Sequence, residues 1–384
     1  MSKPDRKVAI LLKSNLKYDG RVLAEIDTLS LQYPKNDFRI ILLPDGPLDS
    51  IVLPENVSIK IISINVRKSR FKRVLLPFTT FCYTLMCFFE LVKFKPDVIH
   101  VHDIFPVPSG LLYSFFASVN IVYDDHELFK VKTNFFQKLL YWSEAQIIRK
   151  AKIVLVANSY RSRIVRFIYS VPKEKVFTLE NFNHLRKERD TNFKDQRFNE
   201  LIDTIHGDNH LAILHQGQVS EGRGLKYLLE FSTKIQGRAK IIFMGISEQR
   251  YERLIVEYPH LKMVSAHIGY VPYELINEYW SKVDATLVFY DIKEINNKYC
   301  APNRLYLALS NRIPLMVNLE NPVLSEAVIR HDAGMVMTDT LTEKEIEVFL
   351  SKTKTKGFYP YQDKEFSFES FSAPILIKVY NEYV

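Results

Sequence analysis

The stretch 122–129 reads VYDDHELF. Asp124, Asp125, His126 and Glu127 stand in a row between apolar flanks. An imidazole among carboxylates can donate, accept or carry a proton near neutral pH. A second cluster, HVHDIF at 100–105, places His102 and Asp103 just past another apolar run. In open parallel sheets, ligands sit beyond the carboxyl ends of the strands. Neighbouring strand ends would therefore bring both clusters to one crevice. The competing reading makes His102 and Asp103 caps of the next helix and the two aspartates turn residues. Paired aspartates also suggest a divalent metal holding a nucleotide diphosphate. Successive side chains on a strand point to opposite faces, which weighs against that idea.

The second half of the chain carries a different chemistry. HQGQVSEGRGLKYLLEF (215–231) runs from strand through a Gly-containing loop to helix. Gly217, Gly222 and Gly224 let backbone amides approach a ligand, and Arg223 and Lys226 lie at the loop-to-helix junction. Amides at a helix start plus a guanidinium fork make an anion site. NKYCAPNRLYLALSNRIPLMV (297–317) offers a second helix start. Pro302 suits the first turn, and Asn303 and Arg304 share it, where donors favour a phosphate. Ordinary strand-to-helix connection chemistry is the alternative for either loop taken alone.

Such residues need strands to hold them, and the pattern supplies two series. KVAILLKSN, FRIILLPDG, VSIKIISI, DVIHVHD, NIVYDDHE and AKIVLVANS form the first. LAILHQG, AKIIFMG, KMVSAHIG, ATLVFY and IPLMVNL form the second. Helical patterns separate them, the rhythm of open parallel α/β sheets. Two domains fit 384 residues, of which 47% are hydrophobic and 25% charged. The expected division is an N-terminal Rossmann-like domain over 1–183 and a polar linker over 184–210. A second Rossmann-like domain over 211–360 follows, then a C-terminal helical segment over 361–384 that returns to the first domain.

Three cysteines, Cys82, Cys87 and Cys300, make neither a disulfide framework nor a metal-ligand spacing, which favours a reducing compartment. The N-terminal apolar run is five residues long, a buried strand rather than a signal peptide. Formal net charge is +8, but no nucleic-acid-binding module accompanies it. Five of residues 67–73 are basic (Arg67, Lys68, Arg70, Lys72, Arg73), and 74–92 is almost uncharged. The latter approaches a membrane span in length. Its position before KPDVIHVHD favours a core helix of the first domain, with the basic first turn near an anionic membrane surface.

Quoted in order, these segments resemble one family along nearly the whole chain. SNLKYDGRVLAEIDTL resembles the D-x-R-V-L-x-E opening of retaining, nucleotide-sugar-dependent glycosyltransferases of the GT-B fold, close to the large family 4. PDVIHVHDIF resembles PDVVHAHD, and IVYDDHELF resembles LVYDSHELF. LHQGQVSEGRGLKYLLEF resembles YQGxLxxGRGLEELIE, and APNRLYLALSNRIPLMV resembles PNKLFEYMAAGLPVI. The resemblance implies two Rossmann-like domains facing across a cleft, with the donor diphosphate on the second and the acceptor on the first. It implies a front-face transfer in which the leaving phosphate oxygen takes the acceptor proton. No metal and no resident cofactor are expected.

By matching positions, His126 would contact the transferred sugar with Asp125 beside it. Arg223 and Arg304 would bind the diphosphate, supported by Gly222, Lys226 and Asn303. Gly269 would lie in the loop that reads the base. Asp19, Arg21, His102 and Asp103 would stand on the acceptor side. The partners implied are a nucleotide sugar and a glycan or lipid-linked acceptor of bacterial surface polysaccharide synthesis, handled in the cytoplasm or peripherally at the inner membrane. Two positions depart from the pattern. Leu307 stands where the family places a ribose-binding Glu, and Gln218 where many members have Arg. Asn303 or Glu294 could take over the ribose. Otherwise donor binding is weak, or the chain is a catalytically degenerate homologue serving as a partner subunit.

Overall fold

A computed structural model describes residues 5–16, 19–45, 52–64, 76–128, 134–182, 184, 195–271, 275–338, 340–359 and 365–383. The chain forms two compact units, residues 1–184 with 368–384, and residues 185–367. The basic run 67–73 lies outside the described residues.

The first unit is a seven-stranded parallel sheet. Its strands are β1 (Lys7–Ser14), β2 (Asp37–Pro44), β3 (Val57–Ile61), β4 (Val98–His102), β5 (Asn120–Asp125), β6 (Ile153–Val156) and β7 (Val176–Thr178). They lie in the order β3-β2-β1-β4-β5-β6-β7. The order reverses between β1 and β4, which opens a crevice at their carboxyl ends. Every residue of β4 is buried. Strands covered on both faces read as continuous apolar runs, and His100 and His102 interrupt this one. Helix α1 (Gly20–Gln32) follows β1, and Asp19 caps it by accepting from the Val22 amide at 3.4 Å. Helices α2 (Leu76–Phe94), α3 (Val107–Tyr113), α4 (Phe135–Lys150) and α5 (Ser159–Tyr169) complete the layers used below. The C-terminal helix Ala373–Tyr383 packs on α1, where the Tyr33 hydroxyl donates to Asn381 Oδ1 at 3.0 Å.

The second unit is a six-stranded parallel sheet of β8 (Leu211–Gln216), β9 (Ala239–Met244), β10 (Ser265–Gly269), β11 (Ala285–Val288), β12 (Leu315–Asn318) and β13 (Gly334–Met337). Its order, β10-β9-β8-β11-β12-β13, reverses between β8 and β11.

Two expectations need correction. The 184–210 segment is not a plain linker. Helix α6 (Gln196–Gly207) occupies much of it and buries Phe198, Ile202 and Ile205 in the second unit. Those residues lie at i, i+4 and i+7, a helical stripe that the polar residues between them obscure. The helix over 74–92 is not a buried core helix. It buries Thr80, Tyr83, Cys87, Leu91 and Phe94 against the sheet and leaves its other face in solvent. β7 and β13, with three and four residues, are too short to show a period. Among the described residues, no helix is long and apolar enough to cross a membrane.

Candidate active site

In the first unit, the β1/β4 crevice holds a buried polar cluster. His100 and His102 are two apart on β4 and share a face, their rings stacked at 4.2 Å. The parallel register sets His102 beside Asp124 of β5. Asp124 Oδ2 lies 3.4 Å from His102 Nδ1 and 3.0 Å from His126 Nε2. Its other oxygen accepts from Arg21 Nη2. Arg21 stands in the first turn of α1 and also donates to Glu25 Oε1, one turn on, at 3.1 Å. Glu25 Oε2 faces His100 Nε2 at 3.7 Å, and His100 Nδ1 pairs with the Tyr380 hydroxyl at 2.9 Å.

These contacts set the charges. Burial alone would lift the Asp124 carboxyl, but Arg21 and His126 hold it well below the usual range. Burial alone would lower the His126 imidazole, but Asp124 pulls it up to about 9. Burial pushes Glu25 up to about 8, with Asp124 adding to it and Arg21 opposing. His100 and His102 are lowered, first by burial. His126 is therefore a charged hydrogen-bond donor at neutral pH, not a group changing charge there.

Asp125 faces away from this cluster, as alternation on β5 requires. Burial lifts it to about 7, against the pull of Arg161. Arg161, from the first turn of α5, donates to the His126 carbonyl. Asp103 adopts a left-handed φ of 64° and accepts from the Ile104 amide at 2.8 Å, a local turn role. Asp19 is a helix cap that also accepts from the Ser14 hydroxyl at 2.6 Å. Arg21, His102 and His126 thus meet on Asp124, whereas Asp19 and Asp103 serve the backbone. Glu25, His100, His102 and Asp124 could each offer an atom to a metal, all within 4.8 Å of one another. An ion there would have to share both carboxylates with the Arg21 guanidinium, which already spans them.

In the second unit, the β8/β11 crevice gathers cations. Arg223 donates to the Tyr290 hydroxyl and lies over its ring at 5.0 Å. Arg304 sits 5.7 Å from the same ring and donates to the Leu287 carbonyl at 3.4 Å. Arg304 is buried, and among the described residues neither arginine has a carboxylate partner. His215, at the end of β8, is held down at about 3 by burial and then by Arg304. The Gln218 backbone, hydrogen-bonded to the ring, pulls the other way. Asn318 fixes Tyr290 by accepting from its amide and donating to its carbonyl, each at 3.0 Å.

The glycines divide. Gly224 has φ 73°, and a Cβ there would lie 2.3 Å from that of Phe289, so it serves close helix–strand packing rather than a ligand. Gly217 faces open space. The Gly222 carbonyl accepts from Asn297 Nδ2 at 3.2 Å. The Gly269 carbonyl accepts from the Gly245 amide at 2.6 Å. Arg223 lies in a short 3-10 turn, not at an α-helix start. Lys226 is exposed, its ammonium 5.8 Å from the Tyr227 ring. Asn303 opens the helix Asn303–Asn311 after Pro302, and Leu307 is buried within that helix. Glu294 is exposed. Tyr290 and His215 were not singled out from the sequence. The one signal was their place at strand ends.

Comparison with known proteins fits this architecture. Residues 28–185 match the model of Glycosyltransferase Family 4. No curated protein matches the chain by sequence. Among solved structures, sucrose-phosphate synthase from Thermosynechococcus elongatus is similar with a TM-score of 0.72 at 13% identity, covering 98% of each chain. WaaG, a glycosyltransferase involved in lipopolysaccharide biosynthesis, has a TM-score of 0.65 at 13% identity, covering 96% of this chain and 99% of its own. HepE from Anabaena, in complex with UDP-glucose, has a TM-score of 0.60 at 14% identity, covering 97% and 95%. A UDP-N-acetylglucosamine 2-epimerase shares the architecture, with a TM-score of 0.57 at 11% identity and coverage of 98% and 96%. The fold alone therefore does not choose between transfer and epimerisation. Residues 28–185 thus resemble Glycosyltransferase Family 4, and the two doubly wound parallel sheets have the GT-B architecture.

Proposed function

We propose that the chain transfers a sugar, with retention of configuration, from a nucleoside diphosphate donor to a glycan or lipid-linked acceptor of surface polysaccharide synthesis. The supporting observation is the pair Arg223 and Arg304 at the β8/β11 switch point, two guanidiniums on Tyr290 without carboxylate partners among the described residues. A diphosphate would sit between two such cations, and charge-assisted contacts to it are strong. HepE binds UDP-glucose and WaaG acts in lipopolysaccharide synthesis, which favours a nucleotide-sugar donor and a surface-glycan acceptor. The protein works without a metal, in a reducing cytoplasmic setting and at an anionic membrane face.

In this reading, His126 donates a charged hydrogen bond to the transferred sugar. Asp124 keeps it charged and Arg21 keeps Asp124 ionised. Arg161, through the His126 carbonyl, holds the backbone at His126. The chemistry asks little more of the protein than positioning and charge stabilisation. The leaving phosphate oxygen takes the acceptor proton. The test is titration of nucleotide sugars and nucleoside diphosphates against wild type and Arg304→Ala, followed by a transfer or hydrolysis assay on any ligand found. Loss of one such contact should weaken binding about ten- to a hundredfold. Equal affinity in the variant would remove Arg304 from the site.

A second reading, a degenerate subunit that stabilises an active partner, is favoured by Leu307. That buried apolar residue stands at the ribose-binding position the resemblance implies. Failure of every nucleotide to bind would select it.

A further inference from the structure

Helix α2 has two faces of the same chemistry. Its buried face packs on the sheet. Its outer face presents Phe78, Phe81, Leu85, Met86, Phe89 and Val92, three or four residues apart apart from the Leu85–Met86 pair. Phe78, Phe81 and Phe89 are each more than half exposed, at 56%, 61% and 58%. About four turns carry these residues over about 21 Å of helix. The stripe continues onto the turn after α3, where Phe116 packs 5.6 Å from Phe88, itself 5.7 Å from Phe89. Phe116 is 74% exposed. Beside it, the Lys150 ammonium sits 4.7 Å from the Phe115 ring. The acid of this helix, Glu90, is largely covered and lies between Lys93 at 3.3 Å and Lys60 at 3.7 Å.

An apolar patch of this extent on a soluble surface marks an interaction site, and the charge pattern selects the occupant. Residues 1–184 with 368–384 hold 28 Lys and Arg against 19 Asp and Glu, an excess of nine. Residues 185–367 hold 24 against 25. The whole positive excess of the chain thus belongs to the unit that bears the stripe. Five of its charges, at 67–73, precede α2 in sequence. Protein interfaces mix apolar contacts with hydrogen-bonding groups, whereas this stripe has none. A helix lying in the headgroup plane asks for an apolar face and flanking cations.

We propose that the outer face of α2, with Phe115 and Phe116, inserts into the surface of an anionic lipid bilayer. This gives a defined contact to the membrane part of the function proposed above and rests on that part alone. The test is sedimentation with phosphatidylglycerol-containing and pure phosphatidylcholine vesicles, using wild type and the Phe81→Ser/Phe89→Ser double variant. Wild type should bind the anionic vesicles. High salt should weaken that binding without abolishing it, because apolar insertion is not screened. The double variant should lose partitioning by about tenfold or more.

Leu85→Trp gives an independent readout. Its added fluorescence should be quenched by lipids brominated on their acyl chains. Failure of wild type to bind anionic vesicles overturns the proposal, as does unchanged binding by the double variant or an unquenched Trp. So does a wild-type dimer in solution that the double substitution makes monomeric, since the stripe would then belong to a second copy. Nucleoside diphosphate binding by the same preparations separates failure of this surface from failure of the transferase reading.

Discussion

Asp124 is the residue on which the first unit's chemistry turns. It holds a guanidinium and an imidazolium at once, so its neighbours' protonation is set in the folded state and not in the unfolded chain. The sign of the pH dependence follows. His126 is raised to about 9 from 6.5, so its contribution is full below about 6.5 and is lost as pH rises through 9. Glu25 and Glu144, raised to about 8, and Asp125, raised to about 7, favour their neutral forms. The folded state thus binds more protons than the unfolded one, and stability falls as pH rises past the carboxyl range toward 8. His100 and His102 are lowered and act oppositely, but only below the imidazole value of 6.5. The first unit should therefore melt at lower temperature at pH 9 than at pH 6.5, and His126→Gln should flatten part of that slope. An equal or higher melting temperature at pH 9 would refute the charge assignment. Much of this cluster was legible, because ionisable residues at the ends of apolar runs stand out. The opposite facing of Asp124 and Asp125 also follows from strand alternation. Glu25 and Arg161 were less so: each sits in a helix whose residues look like ordinary surface charge until the partner strand is known.

At the scale of elements, the loop from β8 to helix Leu225–Thr233 shows why a glycine pattern is an incomplete guide. Gly217 and Gly224 both have positive φ, 91° and 73°. Only Gly224 is pressed against a strand end, with Phe289 Cβ 2.3 Å from where a methyl would sit. Alanine at either position pays the left-handed backbone cost of roughly 1–2 kcal/mol. Alanine at 224 adds overpacking, typically about 1–3 kcal/mol. Urea denaturation should rank Gly224→Ala clearly below Gly217→Ala in stability. Equal losses would mean that packing on Phe289 is unimportant. The sequence pattern marks both glycines alike, since a turn needing φ above zero and a contact needing no side chain select the same residue. The strands were easier to read. β1, β4, β5 and β8 are covered on both faces and appear as long apolar runs, whereas α6 hides its stripe among charges. Tyr290 and His215 escaped notice because aromatic residues at a strand end read as core.

The whole molecule is chemically asymmetric. The cationic excess and the titrating cluster belong to the first unit, and the arginines on Tyr290 to the second. Two compact units need not unfold as one, and a ligand stabilises only what it binds in the folded state. A saturating nucleoside diphosphate at a hundred times its Kd should stabilise the second unit by about 2.7 kcal/mol. Hydrogen exchange by mass spectrometry can assign the effect to sequence. Slowed exchange is expected in the β8-to-Arg223 loop and over β11 to Tyr290 and the helix Asn303–Asn311. Moving from pH 6.5 to pH 9, after correction for intrinsic rates, should instead loosen β4, β5 and α1. The two perturbations should therefore act on different halves of the chain, one through an anion bound by Arg223 and Arg304, the other through protons that Glu25 and His126 lose. Nucleotide protection confined to β4, β5 and α1 would put the phosphate site on Arg21 instead, and the donor assignment to the second unit would fall.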